Sequence, residues 1–194
     1  MKTAAFFLLF LLGSVRAFAQ HEASLWLRST PGQTQVFPWY TYTGKKVFFD
    51  VRYNFDWTNT GAVYIGKDIG RHGISVIPEI GIRAGEYNGI SPEMFILGHK
   101  KRVSFFVQMQ YVKGWGNHPD FFYHWVDCQF DLRRWISVGV DEETLHIHSR
   151  TQVNLGPAMK LTFGKMYLKV WPAVSVGPVR RGTPIVYVGI GRAW

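Results

Sequence analysis

The chain has 194 residues, with 22 Lys and Arg against 13 Asp and Glu, a formal charge of +9. Aromatic residues make up 16% of it and charged residues only 18%, against the ~25% charged residues of typical soluble domains. One cysteine, Cys128, rules out an internal disulfide, and no apolar run beyond the N-terminus approaches the ~20 residues of a membrane helix.

The N-terminus carries Lys2, then an apolar run over residues 4–12, then Ala17-Phe18-Ala19, the A-x-A pattern a signal peptidase cuts after. The run is too short to span a bilayer, and no Cys follows it to carry a lipid anchor. The expectation is a cleaved signal over residues 1–19 and one domain over residues 20–194. Cleavage after residue 19 leaves 175 residues, with 20 basic against 13 acidic side chains. That is long enough for one full core, and without disulfides such a domain must hold together by burial or by a closed sheet.

A period-2 alternation then runs along the chain, the signature of strands with two unlike faces. Over residues 47–57, Val47, Phe49, Val51, Tyr53, Phe55 and Trp57 alternate with Asp50, Arg52, Asn54 and Asp56. Ile80, Ile82 and Ala84 alternate with Glu79, Arg83 and Glu86, and Val103, Phe105, Val107, Met109 and Tyr111 with Ser104, Gln108 and Gln110. Phe122, Val126, Cys128, Phe130 and Leu132 oppose Asp127, Gln129 and Asp131. Leu145, Ile147 and Val153 oppose His146, His148, Arg150, Gln152 and Asn154, and a last strand sets Val186, Val188, Ile190 and Trp194 on one face.

Turn residues punctuate these runs at Thr43-Gly44, Asn59-Thr60-Gly61, Asn88-Gly89, His99-Lys100, Asp141-Glu142-Glu143, Gly156-Pro157 and Gly182-Thr183. Strands are expected to open near Ser24, Gln35, Lys46, Gly61, Ile74, Pro92, Arg102, Phe121, Arg134, Thr144, Ala158 and Pro184. The pattern predicts an all-β, antiparallel up-and-down barrel of about twelve strands, with ten as the fallback because the stretch over residues 24–42 is ambiguous. An even number returns both termini to one end.

Alternation alone does not say which face meets which solvent. A soluble barrel turns its apolar face inward, and a membrane barrel turns it outward and keeps a polar lumen. The polar face here is poor in Lys and places Arg beside Asp and Glu, and Arg's planar fork suits packed carboxylate pairs. Several apolar faces end in rings (Tyr53, Phe55 and Trp57; Tyr111; Trp135), as interfacial girdles do. Both features favour the transmembrane barrel. Still open are a soluble exported barrel that binds an apolar ligand against the odd face of residues 47–57, and a membrane-embedded hydrolase.

The C-terminal stretch over residues 186–194, VYVGIGRAW, resembles the last strand of bacterial outer-membrane β-barrel proteins. It departs from that pattern at Arg192. The resemblance implies that Trp194 is an assembly signal read by the barrel-assembly machinery, and that the protein resides in the outer membrane as a structural or small-solute channel barrel. Small basic clusters at expected strand ends (Lys45-Lys46, Lys100-Lys101-Arg102, Arg133-Arg134, Arg180-Arg181) suit outer-membrane lipid and lipopolysaccharide phosphates rather than nucleic acid.

Asp50, Arg52, Asn54, Asp56, Glu79, Arg83, Asp127, Asp131 and Arg150 are the expected lumen and selectivity residues. His146 and His148, two apart on one strand face, have a spacing that can chelate a metal if a third ligand comes from Asp127, Asp131 or Glu79. A hydrolase would draw on Ser104, Ser149, His124, His146 and Asp127, but Ser149 falls on the face opposite His146 and no nucleophile-elbow motif is present. His124 is expected on the lipid face. No cofactor signature, phosphate loop or CxxC motif is found.

Overall fold

The computed structural model describes residues 20–45, 47–55, 59–177 and 181–193. The expected signal peptide, Asp56, Trp57 and Trp194 lie outside the described residues. Twelve strands follow one another: β1 (Gln20–Thr30), β2 (Gln33–Thr43), β3 (Phe48–Tyr53), β4 (Thr60–Gly66), β5 (Ile74–Gly85), β6 (Gly89–Lys100), β7 (Val103–Gly114), β8 (Phe121–Arg133), β9 (Ile136–Ile147), β10 (Arg150–Phe163), β11 (Met166–Ser175) and β12 (Pro184–Ala193). Each pairs antiparallel with its chain neighbours, and β1 pairs with β12, Leu25 opposite Ile190, to close the barrel. Closure removes the edges that an exposed sheet would present.

The wall alternates strictly. On β5, Ile80 and Ile82 are exposed while Glu79 and Arg83 are buried, and on β4 Val63 and Ile65 are exposed while Ala62 and Tyr64 are buried. The outer surface is a belt made mostly of Ile, Val, Leu and Phe, and most charged groups of the mid-strands are buried inside. Twelve residues at ~3.3 Å each, tilted about 40°, rise roughly 30 Å, the thickness of a bilayer's hydrocarbon. This inverts a soluble protein. Of the odd face of residues 47–57, Phe49, Val51 and Tyr53 accordingly point outward, away from the interior. A charge on the belt is expensive, so Ile80→Arg is expected to lower barrel stability by about 2–4 kcal/mol. Urea unfolding in lipid vesicles measures it, and an unchanged midpoint would mean the belt does not meet lipid.

Three sequence expectations are corrected. Asp141-Glu142-Glu143 and Gly156-Pro157 are not turns but lie within β9 and β10, which turn instead at residues 148–149 and 164–165. The triplet reads as a loop because it is charged throughout, yet Asp141 and Glu143 face the lumen and Glu142 the outer wall. The run over residues 47–57 is not one strand either. Asn54 adopts φ 59, and its side chain accepts the Asn59 amide at 2.6 Å, ending β3. The left-handed residue flips the alternation, so Phe55 turns inward, edge-on to Trp39 at 5.3 Å, instead of joining the outer girdle.

Glycine serves the lumen at two places. A side chain at Gly81 would collide with the Tyr64 ring and one at Gly189 with the Trp26 ring, so both glycines let a large ring lie flat on the neighbouring strand.

The two ends differ. At the end carrying Gln20 and Ala193, exposed Lys45, Lys67, Arg71, Lys100, Lys101, Arg102, Arg133, Arg134 and Lys165 ring the turns. At the far end the connections are short. One of them, over residues 115–120, is clasped by Asp120, which accepts from Lys113 Nζ at 2.7 Å and Tyr111 Oη at 2.8 Å. These donors hold the Asp120 carboxyl below its ordinary range.

Candidate functional site: a filled, charged lumen

The barrel interior holds three ionic groups stacked against rings. In the first, β3 alternation turns Asp50 and Arg52 to the same side, and β5 and β6 bring Glu79 and Glu93 directly opposite each other. The Arg52 guanidinium bridges all three carboxylates. Its Nε donates to Asp50 at 2.8 Å, and its Nη2 donates to Asp50, to Glu93 at 2.8 Å and to Glu79 at 3.2 Å. Four rings surround it, with Tyr64 at 4.5 Å and Trp39 at 5.0 Å from its carbon. Gln108 and Gln110 donate to Glu93 at 2.7 and 2.6 Å, and Arg83 and Gln110 both donate to the Tyr64 oxygen.

The second group is Lys169, whose Nζ lies 2.6 Å from both Asp127 and Asp141, with Gln129 donating to Asp127 at 2.7 Å. In the third, Glu143 accepts from Asn154 at 2.8 Å and from the Tyr187 hydroxyl, with Arg28 Nη1 at 3.6 Å. Of the buried charged side chains described, Asp50, Glu79, Glu93, Asp141 and Glu143 are acids and Arg52, Arg83 and Lys169 are bases. The lumen is therefore acid-rich, although the chain as a whole is basic.

Rings close the waist. Trp125 meets Trp26 edge-on at 5.2 Å and Phe106 at 5.4 Å, and lies parallel to Trp171, which stacks on Tyr187 at 4.1 Å. The space left among Trp26, Phe37, Phe55, Trp125, Trp171 and Tyr187 is about 20 Å³, on the order of one water. Below the waist a chamber of about 460 Å³ opens toward the terminal end, walled by Trp26, Trp39, Trp125 and Phe95 and edged by Glu22, Asp68, Lys160 and Lys169.

Of the expected lumen residues, Asp50, Arg52, Glu79 and Arg83 are thus brought together with one ring network, and Asp127 joins Lys169. Asp131 sits lower on β8, accepting from Ser137 at 2.6 Å. Asn54 is in the β3–β4 turn, and Arg150 is exposed where β10 begins, so neither lines the lumen. His146 and His148 are corrected as well. At the far end of β9, Leu145 and Ile147 pack inward against the rings, and His146 is exposed on the outside, bonded to Thr151 at 2.7 Å. His148 is in the following turn with φ 52. No group of three metal-ligating side chains occurs among the described residues. The hydrolase set is likewise separated, because Asp127 faces the lumen and His124 the outer wall of the same strand, while Ser149 is in a turn.

Sequence reasoning missed Glu93, Asp141, Glu143, Lys169 and Arg28. Lys169 and Glu93 stand among apolar neighbours on both sides of the alternation (Leu168 and Val170; Pro92 and Met94, with Phe95 next inward), so no clean period shows. The waist tryptophans are hidden for the same reason, since a buried Trp reads like the lipid-facing Val beside it.

No protein-family model matches the sequence, and no curated relative matches it. Solved structures do. The KdgM porin superposes with a TM-score of 0.68 at 9% identity, covering 89% of this chain and 99% of that one. A NanC porin structure gives 0.62 at 8% identity over 89% and 98%. A loop-deleted OmpT from Vibrio cholerae gives 0.53 at 8% identity over 91% and 98%. The fold is that of bacterial outer-membrane porins.

Proposed function

We propose that the chain is an outer-membrane barrel that passes small solutes, cations ahead of anions, through a lumen kept nearly shut at its waist. The observation that carries this reading is the acid-rich set of buried charges enclosed by an apolar outer wall. Porin-like neighbours support the channel role. One of them was solved as KdgM in complex with disordered oligogalacturonate, a polyanion. The excess of buried carboxylates here argues for the opposite sign of solute.

In this reading residues 1–19 are removed on export and the terminal end faces the periplasm. Its basic turns meet anionic lipid phosphates, while lipopolysaccharide surrounds the far end. Trp194 is the residue offered to the barrel-assembly machinery. Asp50, Arg52, Glu79, Arg83 and Asp127 set the charge of the path.

Fractionation with a heat-modifiability gel tests the location; a freely soluble protein would overturn it. Planar-bilayer recording tests the rest. The expected result is a small conductance whose reversal potential in a salt gradient favours cations. A large steady conductance, or a reversal potential favouring anions, would refute the closed waist or the acid path respectively.

A further inference from the structure

The outer wall has one flaw. Among the described outward-facing residues, only His124 on β8 and Glu142 on β9 carry an acid, base or imidazole more than two residues from a strand end. They are joined. His124 Nδ1 lies 3.4 Å from Glu142 Oε2, and Thr144, directly opposite His124, donates its hydroxyl to Glu142 Oε1. Glu142 is five residues below the end of β9, roughly 12 Å down the wall. At that depth lipid offers acyl chains and few hydrogen-bonding groups, so polar side chains facing it are costly and mark a functional surface.

We propose that this patch is the centre of an interface between two copies of the chain. Three observations select a second copy over a lipid. The patch presents an acid and a base side by side, so a two-fold axis along the membrane normal sets each copy's His124 before the other's Glu142. Both groups keep partial exposure, 31% for the His124 side chain and 21% for Glu142, so each can reach outward while still paired. The surrounding wall is open and apolar, with Phe122, Val140 and Leu155 all exposed, which gives the polar centre an apolar rim. Polar side chains of this kind join membrane segments because no water competes for them.

The proposal rests on the outer wall meeting lipid, as in the functional reading above. A native probe lies on the same wall. Cys128 is exposed, outward-facing and opposite Val140, two residues along the strand from the Val126–Glu142 pair. The test uses the full protein in vesicles of phosphatidylethanolamine and phosphatidylglycerol. A short bis-maleimide is expected to yield a covalent dimer that is lost in Cys128→Ser. Light scattering in mild detergent is expected to give twice the protomer mass.

The His124→Leu/Glu142→Leu double variant should weaken the dimer by about tenfold, the scale of one or two interfacial polar contacts in a membrane. It should remain inserted and heat-modifiable. A wild-type protein that is monomeric by light scattering would overturn the proposal and leave lipid as the occupant of the patch. So would a dimer that the double variant does not weaken. Failure to insert at all would instead count against the membrane reading, so the two failures are distinguishable.

Discussion

Arg52→Ala is expected to destabilise the barrel by roughly 3–5 kcal/mol, the cost of stranding buried charge whose partner has been removed. Arg52 contacts Asp50, Glu79 and Glu93 together, and its side chain and theirs are fully buried. Without it, three carboxylates face each other across a ring-lined space with no solvent to screen them. The measurement is urea unfolding in vesicles, followed by tryptophan fluorescence. A loss below about 1 kcal/mol, the level of a surface ion pair, would mean the guanidinium does not hold the carboxylates in place. Because repulsion is the main cost, Arg52→Ala combined with Glu79→Gln and Glu93→Gln should recover at least half of the loss. If the loss came only from missing hydrogen bonds and ring contacts, the triple variant would be no better than the single one.

Trp125→Ala is expected to open the waist and raise conductance several-fold over wild type in planar bilayers. Trp125 borders both the pinched region and the chamber below it, and touches Trp26, Trp39, Phe106 and Trp171. No other described ring is shared so widely across the constriction. Its loss also removes buried packing worth about 3–5 kcal/mol, so the variant must first be shown to be heat-modifiable. Trp125→Phe keeps a ring in place and should conduct nearly as little as wild type. Unchanged conductance in a folded Trp125→Ala barrel would show that the path does not run through this waist.

How far the sequence could be read differs from strand to strand. Along the middle of β3 and β5, Asp50, Arg52, Glu79 and Arg83 face inward between outward Phe49, Val51, Ile80 and Ile82, so these four were legible as lumen residues. Their assembly around one guanidinium was not, because Glu93 arrives from β6 through a register that only pairing specifies. On β8 the alternation identified Asp127 and Gln129, yet Asp127's partner Lys169 lies across the barrel on β11. At the far end the alternation inverts. Leu145 and Ile147 turn inward to the rings while His146 faces out, since above the lipid the outside is wet and the inside is a packed core. A rule that assigns apolar residues to lipid fails there, and it misplaced both histidines.

Period-2 alternation, turn residues at short intervals and the lack of cysteine pairs determined an all-β barrel of ten to twelve strands, and the scarcity of Lys in mid-strand favoured a polar inside. These are local properties, set by which neighbours a side chain has along its own strand. The tertiary structure alone decided that rings pinch the lumen at a waist, that its buried charge is acidic in a basic protein, and that His124, Glu142 and Thr144 share one spot on the outer wall. Each of these depends on the register between paired strands and on which side chains meet across the barrel. A one-residue slip would turn every one of those side chains to the other face.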